Sequence, residues 1–110
     1  MAHKIICALA AITAVGLAAP ATAHADQYDF VLALDDQGVY YSSITDVIDQ
    51  GKMTCRILRS GAGVPAAINY LVGEYAPFEI GVILSSASTY MCPDVAPVLR
   101  EFFANAQAAA

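Results

Sequence analysis

Residues 43–61 read Ser43-Ile44-Thr45-Asp46-Val47-Ile48-Asp49-Gln50-Gly51-Lys52-Met53-Thr54-Cys55-Arg56-Ile57-Leu58-Arg59-Ser60-Gly61. Ser43 followed three residues later by Asp46 is a capping-box pattern, a hydroxyl for the first turn and an acid reaching back. Ile44, Val47, Ile48, Gly51, Cys55 and Leu58 recur at spacings of three and four, which lays one apolar stripe along a helix. Asp46 and Asp49 fall near the start and Lys52, Arg56 and Arg59 toward the end, in the sense that suits the helix dipole. Gly61 lies just past the stop. The stretch predicts an amphipathic helix that must bury one face against other elements.

The flanking sequence supplies those elements. Asp26 can cap a helix through Tyr28, Phe30, Val31 and Leu34, with Gly38 as its C-terminal stop. Gly63-Val64-Pro65 opens another, with Ile68, Leu71, Val72 and Tyr75 on its inner face and Pro77 as its end. A fourth runs from Phe78 or Glu79 to about Met91 and buries Ile80, Ile83, Leu84, Ala87 and Tyr90 or Met91, until Pro93 stops it. Leu99, Phe102 and Phe103 mark a short fifth helix, and the alanine-rich end from Ala104 is expected to fray. Strand alternation and hairpin turns are not evident. The expected fold is all-α, a small bundle of four to five short helices held by one disulfide, with a domain over 26–93 and a C-terminal short helix and frayed tail over 94–110.

Residues 1–25 have the three parts of a secretory signal peptide. Lys4 forms a basic start, Ile5 to Ala19 is uncharged and apolar, and Pro20 precedes small residues. Ala23-His24-Ala25 and Ala21-Thr22-Ala23 are both A-x-A cleavage sites, of which the later suits the acidic start Asp26-Gln27. The alternative is a retained anchor, but an apolar run of about 15 residues is short of the roughly 20 a span needs. Cys7 lies inside the apolar run, which is the wrong place for lipid attachment. A secreted location, extracellular or in the cell envelope, is therefore expected, with no membrane span after cleavage.

Of 110 residues, 58% are hydrophobic and 14% charged, a balance that argues for a folded chain. Cleavage removes Lys4 from the five cations and none of the ten acids, so the net charge becomes −6. So acidic a chain is not expected to hold nucleic-acid phosphates. Cleavage also removes both histidines, His3 and His24, and with them any Ser-His-Asp or Cys-His catalytic arrangement and any histidine-ligated metal. Gly61-Ala62-Gly63 is a lone connector between helices rather than a phosphate loop. Asp35, Asp36, Asp46, Asp49, Glu74 and Glu79 read as solvated surface, and nothing has the density of a calcium loop. No enzyme activity, cofactor or metal is expected.

Two cysteines remain, Cys55 and Cys92. In an exported chain with so small a core they are the expected staple. Cys55 is on the apolar stripe and Cys92 is at a helix end, and pairing requires their Cα atoms within about 7 Å. A redox pair would call for C-x-x-C proximity and an activated thiolate, and an intermolecular link is the other alternative.

Two groups of residues are candidates for binding a partner. Lys52, Arg56 and Arg59 share one helical face and are three of the four cations left after cleavage; a solvated face is the plainer reading and a contact for an acidic partner or anionic lipid the sharper one. Tyr40-Tyr41 occupies the loop between the first two helices, where two adjacent rings cannot easily both be buried, and exposed aromatics often anchor contacts. Tyr28, Tyr70, Tyr75 and Tyr90 fall near core faces. The leading expectation is a non-catalytic interaction module with an unknown protein partner. The alternative is a carrier of a small apolar ligand or lipid between the helices.

The mature chain resembles the family called domain of unknown function 732, small exported proteins of mycobacteria and related actinobacteria. The resemblance runs from Asp26 to Pro93 through Phe30, Leu34, Gly38-Val39, Val47-Ile48, Gly51, Cys55, Leu58, Gly61, Tyr90 and Cys92-Pro93. It implies an exported, all-helical, disulfide-linked domain and names no catalytic residue. One position departs from the pattern: the family places an aromatic directly before the second cysteine, and here Met91 stands between Tyr90 and Cys92.

Overall fold

Gly38 is where the first helix turns, and the turn shows why a glycine is there. In the computed structural model, which describes residues 27–109, the helix over 27–36 (α1) closes with Val39 N–H donating to Leu34 O at 3.0 Å and Gly38 N–H to Asp35 O at 3.1 Å. This pair of bonds needs a left-handed residue between them, and Gly38 supplies it at φ +77°. Val39 and Leu34, joined by the first of these bonds, are both buried, so the turn also closes the core. The signal-peptide reading of 1–25 and the cap at Asp26 lie outside the described residues.

The second helix, α2, runs Ile44–Arg59. Ser43 Oγ accepts from Asp46 N–H at 3.0 Å, which is the expected cap. The Asp46 carboxylate accepts from the Ser42 hydroxyl at 3.3 Å, a partner one residue before the one a capping box would use. Val47, Ile48, Gly51, Thr54, Cys55 and Leu58 form the buried face. Ile44 does not belong to it: the first residue of α2 lies past the edge of the packed surface and remains 51% exposed. Thr54 occupies the buried face despite its hydroxyl, because Oγ1 donates to Gln50 O at 2.8 Å one turn back.

Helix α3, Val64–Leu71, is only eight residues long. Pro77 does not end it. The chain leaves the helix after Leu71 and turns through Tyr75, whose N–H still donates to Leu71 O at 3.1 Å. Pro77 instead opens α4, Pro77–Tyr90, at the first position, where its missing N–H costs nothing. Tyr75 is buried as expected, whereas Val72 falls in the turn and faces solvent.

Pro93–Val95 form a single 3₁₀ turn, and α5 then runs Ala96–Ala109. Over the C-terminal segment expected as a short helix and frayed tail, α5 has fourteen residues and continues through the alanines, the residue type with the highest helix propensity. Val95 and Leu99 are buried in the same core as the other helices, and α5 packs on α3 and α4.

At the centre, α2 packs on α3 and α4. Phe30, Leu34, Val47, Leu71, Ile83 and Leu84 are the large, fully buried side chains. Gly51 marks the closest approach. A Cβ there would lie 2.9 Å from Phe30 Cε2 and Cζ and 2.9 Å from Met91 Sδ, so α1 and the end of α4 both press on the bare backbone of α2. Cys55, one turn on, is bonded to Cys92 with the Cα atoms 5.9 Å apart. The bridge closes a loop of 37 residues, which is about 4 kcal/mol of stabilisation in the chain-entropy model. The fold is all-α, with no strand among the described residues.

Candidate functional site: a basic recess beside the disulfide

Lys52, Arg56 and Arg59 stand at positions i, i+4 and i+7 of α2, one above another on a single face. They line a recess of about 310 Å³ together with Cys55 and Met91. Cys55 is buried and Met91 half-buried, so the recess has an apolar floor of two sulfur-bearing side chains and a cationic rim.

Arg59 is not free at that rim. Its Nε donates to Asp94 Oδ2 and a terminal nitrogen donates to Asp94 Oδ1, both at 2.8 Å, a side-by-side pair of charge-assisted bonds. The guanidinium holds the Asp94 carboxyl below its usual range, and the carboxylate raises Arg59 in turn. The side chains are 52% and 55% exposed, so water screens most of the attraction, and geometry is what the pair contributes. It ties the last turn of α2 to the 3₁₀ turn two residues past Cys92. Among the described residues no ion pair engages Lys52 or Arg56.

The tyrosine pair behaves differently at its two positions. Tyr40 is 83% exposed, and its backbone N–H donates to Glu79 Oε2 at 3.2 Å. Tyr41 is half-buried, and its hydroxyl donates to Asp35 Oδ1 at 2.7 Å, which raises the phenol above its ordinary value. Only Tyr40 therefore offers a free ring. Tyr41 precedes α2, and Arg56 lies about 18 Å along the helix from its first residue, Ile44, at 1.5 Å per residue. The structure brings the three cations together and leaves the tyrosines at the opposite end.

Of the tyrosines expected near core faces, Tyr75 alone is buried; Tyr28, Tyr70 and Tyr90 are exposed. Tyr75 donates its hydroxyl to Gln50 Oε1, and Gln50 Nε2 donates to Glu74 Oε1 at 3.1 Å. Burial, with Glu74 nearby, pushes the Tyr75 phenol up to about 12.

Three acids read as solvated surface also make structural bonds there: Asp35 and Glu74 are exposed and Glu79 is half-buried. Asp35 anchors Tyr41 and Glu74 extends the Gln50 link. Glu79 Oε1 accepts from Ala76 N–H at 3.0 Å while Oε2 accepts from Tyr40 N–H, so one carboxylate joins the start of α4 to the α1–α2 loop. The Ala76 and Tyr40 amides hold its carboxyl below the usual range. Glu79 follows Pro77 in a first turn, a pattern that could have signalled the local bond. Nothing local signals the bonds from Arg59 to Asp94, which cross 35 residues. Among the described residues no group of three or more His, Cys, Asp or Glu side chains is placed to hold a metal. No single described helix is long and apolar enough to cross a membrane.

The fold and this site define a small all-helical domain closed by one disulfide, with a basic recess beside the bridge. The chain belongs to the family described as Protein of unknown function (DUF732), whose model matches residues 25–94. No curated protein and no solved structure matches it.

Proposed function

We propose that the chain is an exported, non-catalytic interaction module that binds a protein partner in the cell envelope or medium. The observation carrying this reading is the recess, where Lys52 and Arg56 stand exposed over an apolar floor on an otherwise acidic chain. Cations held above apolar surface are a common composition for a contact that needs both specificity and buried area. Tyr40 supplies a second contact point, 83% exposed at the other end of α2. Export is supported by the three-part leader pattern over 1–25 and by a family match that starts at residue 25. The non-catalytic reading is supported by the structural bonds that occupy Asp35, Glu74, Glu79 and Asp94.

Cross-linking on intact cells, followed by mass spectrometry, tests the proposal. A partner recovered with the wild-type chain should be lost with Arg56→Glu and weakened with Tyr40→Ala. Recovery that is indifferent to both substitutions refutes the assignment of these residues.

A second reading has one observation behind it. Ile68, Val72, Ile80, Leu84 and Phe103 line an apolar recess of about 220 Å³ between α3, α4 and α5. A carrier of a small apolar ligand would use it, although sites for such ligands commonly start near 300 Å³. Native mass spectrometry separates the readings: a co-purifying small-molecule mass supports the carrier, and a bare chain mass argues against it.

A further inference from the structure

We propose that the recess beside the disulfide binds an acidic segment of the partner, an apolar side chain flanked by carboxylates. Lys52 and Arg56 take the carboxylates, and Met91 and Cys55 receive the apolar group. The proposal rests on the interaction reading above and gives it a ligand chemistry.

Arg59 at the rim already shows the first half of that recognition, with a carboxylate from just beside the recess. Asp94 lays its carboxylate along Arg59 with two bonds of 2.8 Å, so an acidic side chain fits this rim in the orientation a guanidinium requires. Arg56 and Lys52 repeat the same charge one and two turns earlier, and among the described residues no ion pair engages them. A chain segment lying along α2 would meet them in succession.

The second half comes from the floor. Met91 is half-buried and borders both the recess and the Gly51 contact, so its flexible thioether can adapt to an incoming side chain. A volume of about 310 Å³ accommodates one or two side chains and not a whole lipid tail.

Charge selects a narrow ligand over a broad anionic surface. Asp46 and Asp49 lie on the first half of α2, Asp29, Asp35 and Asp36 on α1, and the chain after residue 25 carries a net charge of −6. At physiological ionic strength interactions between exposed charges fade over about 8 Å. A peptide segment touching only the recess senses mainly its cations. A membrane plane brought to the same place would face the neighbouring acids as well.

The test uses the exported chain, purified after expression of the full sequence. The probe is a synthetic peptide with one leucine flanked on each side by two glutamates. Its titration should shift the Met91 methyl resonance and the backbone amides of Lys52 and Arg56, saturably and less at high salt. Arg56→Glu should weaken binding about tenfold or more. Asp94→Ala should tighten it severalfold by releasing Arg59, a gain that a purely structural role for these residues would not produce. Replacing the peptide leucine with serine should weaken binding.

The proposal is overturned if the peptide leaves Met91 unmoved, or if Asp94→Ala fails to improve affinity. Arg56-dependent binding to phosphatidylglycerol vesicles, without peptide binding, overturns it in favour of a membrane surface. Arg56-dependent capture of a partner without any peptide response overturns it while leaving the interaction reading intact.

Discussion

Gly51→Ala adds a single methyl group where two elements meet a bare backbone, and the structure gives the sign of its effect. The new Cβ would lie 2.9 Å from two ring carbons of Phe30 and 2.9 Å from Met91 Sδ. Ordinary carbon contacts are about 3.5–4.0 Å, so each neighbour must retreat by more than half an ångström. Met91 is half-buried and can swing aside. Phe30 cannot do so easily, because its ring is fully buried within the core. Overpacking of this kind costs about 1–3 kcal/mol. Against it stands the helix preference for alanine over glycine, about 1 kcal/mol. The net expectation is a loss of about 1 kcal/mol, reaching about 2 if the ring is held rigidly, or roughly 4–16 °C in Tm for a domain of this size. Gly81→Ala, inside α4, is the internal control. A Cβ there meets nothing within 4 Å, so only the preference remains and stability should rise by about 0.5–1 kcal/mol. Urea unfolding followed by circular dichroism at 222 nm measures both variants. Phe30→Leu should cost less in the Gly51→Ala background than alone, since it relieves the clash. If Gly51→Ala proves as stabilising as Gly81→Ala, the reading of this contact is wrong.

Replacing Cys55 and Cys92 with serine should cost about 2–5 kcal/mol, and intact mass after alkylation, with and without reductant, should show no free thiol in the unreduced wild type. Ser43→Ala should lose about 1 kcal/mol through the α2 cap, read as a lower urea midpoint with an unchanged slope. Asp94 and Glu79 have folded-state pKa values below their ordinary ones, so their contribution is present above the unfolded carboxylate range and fades as pH falls through the lowered values. Asp94→Asn with Glu79→Gln should therefore flatten the acid limb of the stability profile. Tyr75 is raised from 10.0 to about 12, so its contribution is full below pH 10 and lost as pH climbs toward 12. Tyr75→Phe should remove that alkaline loss, measured as Tm against pH.

How much of this could be read from the chain depended on the reach of each signal. The α2 helix was legible because its cap, stripe and stop fall within nineteen consecutive residues. The Cys55–Cys92 bridge was legible because these are the two cysteines left once 1–25 is read as a leader. Pro77 misled because a proline stops one helix and starts another with equal ease, and only tertiary packing decides which. At the C-terminal end, Leu99 marked a helix in the sequence, while the burial of Val95 and Leu99 in the common core follows from tertiary packing. At the site, the shared face of Lys52, Arg56 and Arg59 follows from helical spacing alone. The pairing of Arg59 with Asp94, the Met91 floor and the Tyr40 amide on Glu79 join residues far apart in sequence, and no local pattern encodes them.

The recess is assembled from both ends of the disulfide. Cys55 belongs to the floor, Met91 precedes Cys92, and Asp94, which fixes Arg59, follows it by two. The bridge is the covalent link that holds the segment of Met91 and Asp94 beside the cations of α2. If the recess binds a partner as proposed, the bridge also fixes the parts of that face relative to one another. On that reading, the face would be complete where disulfides persist and would lack its covalent link in a reducing compartment.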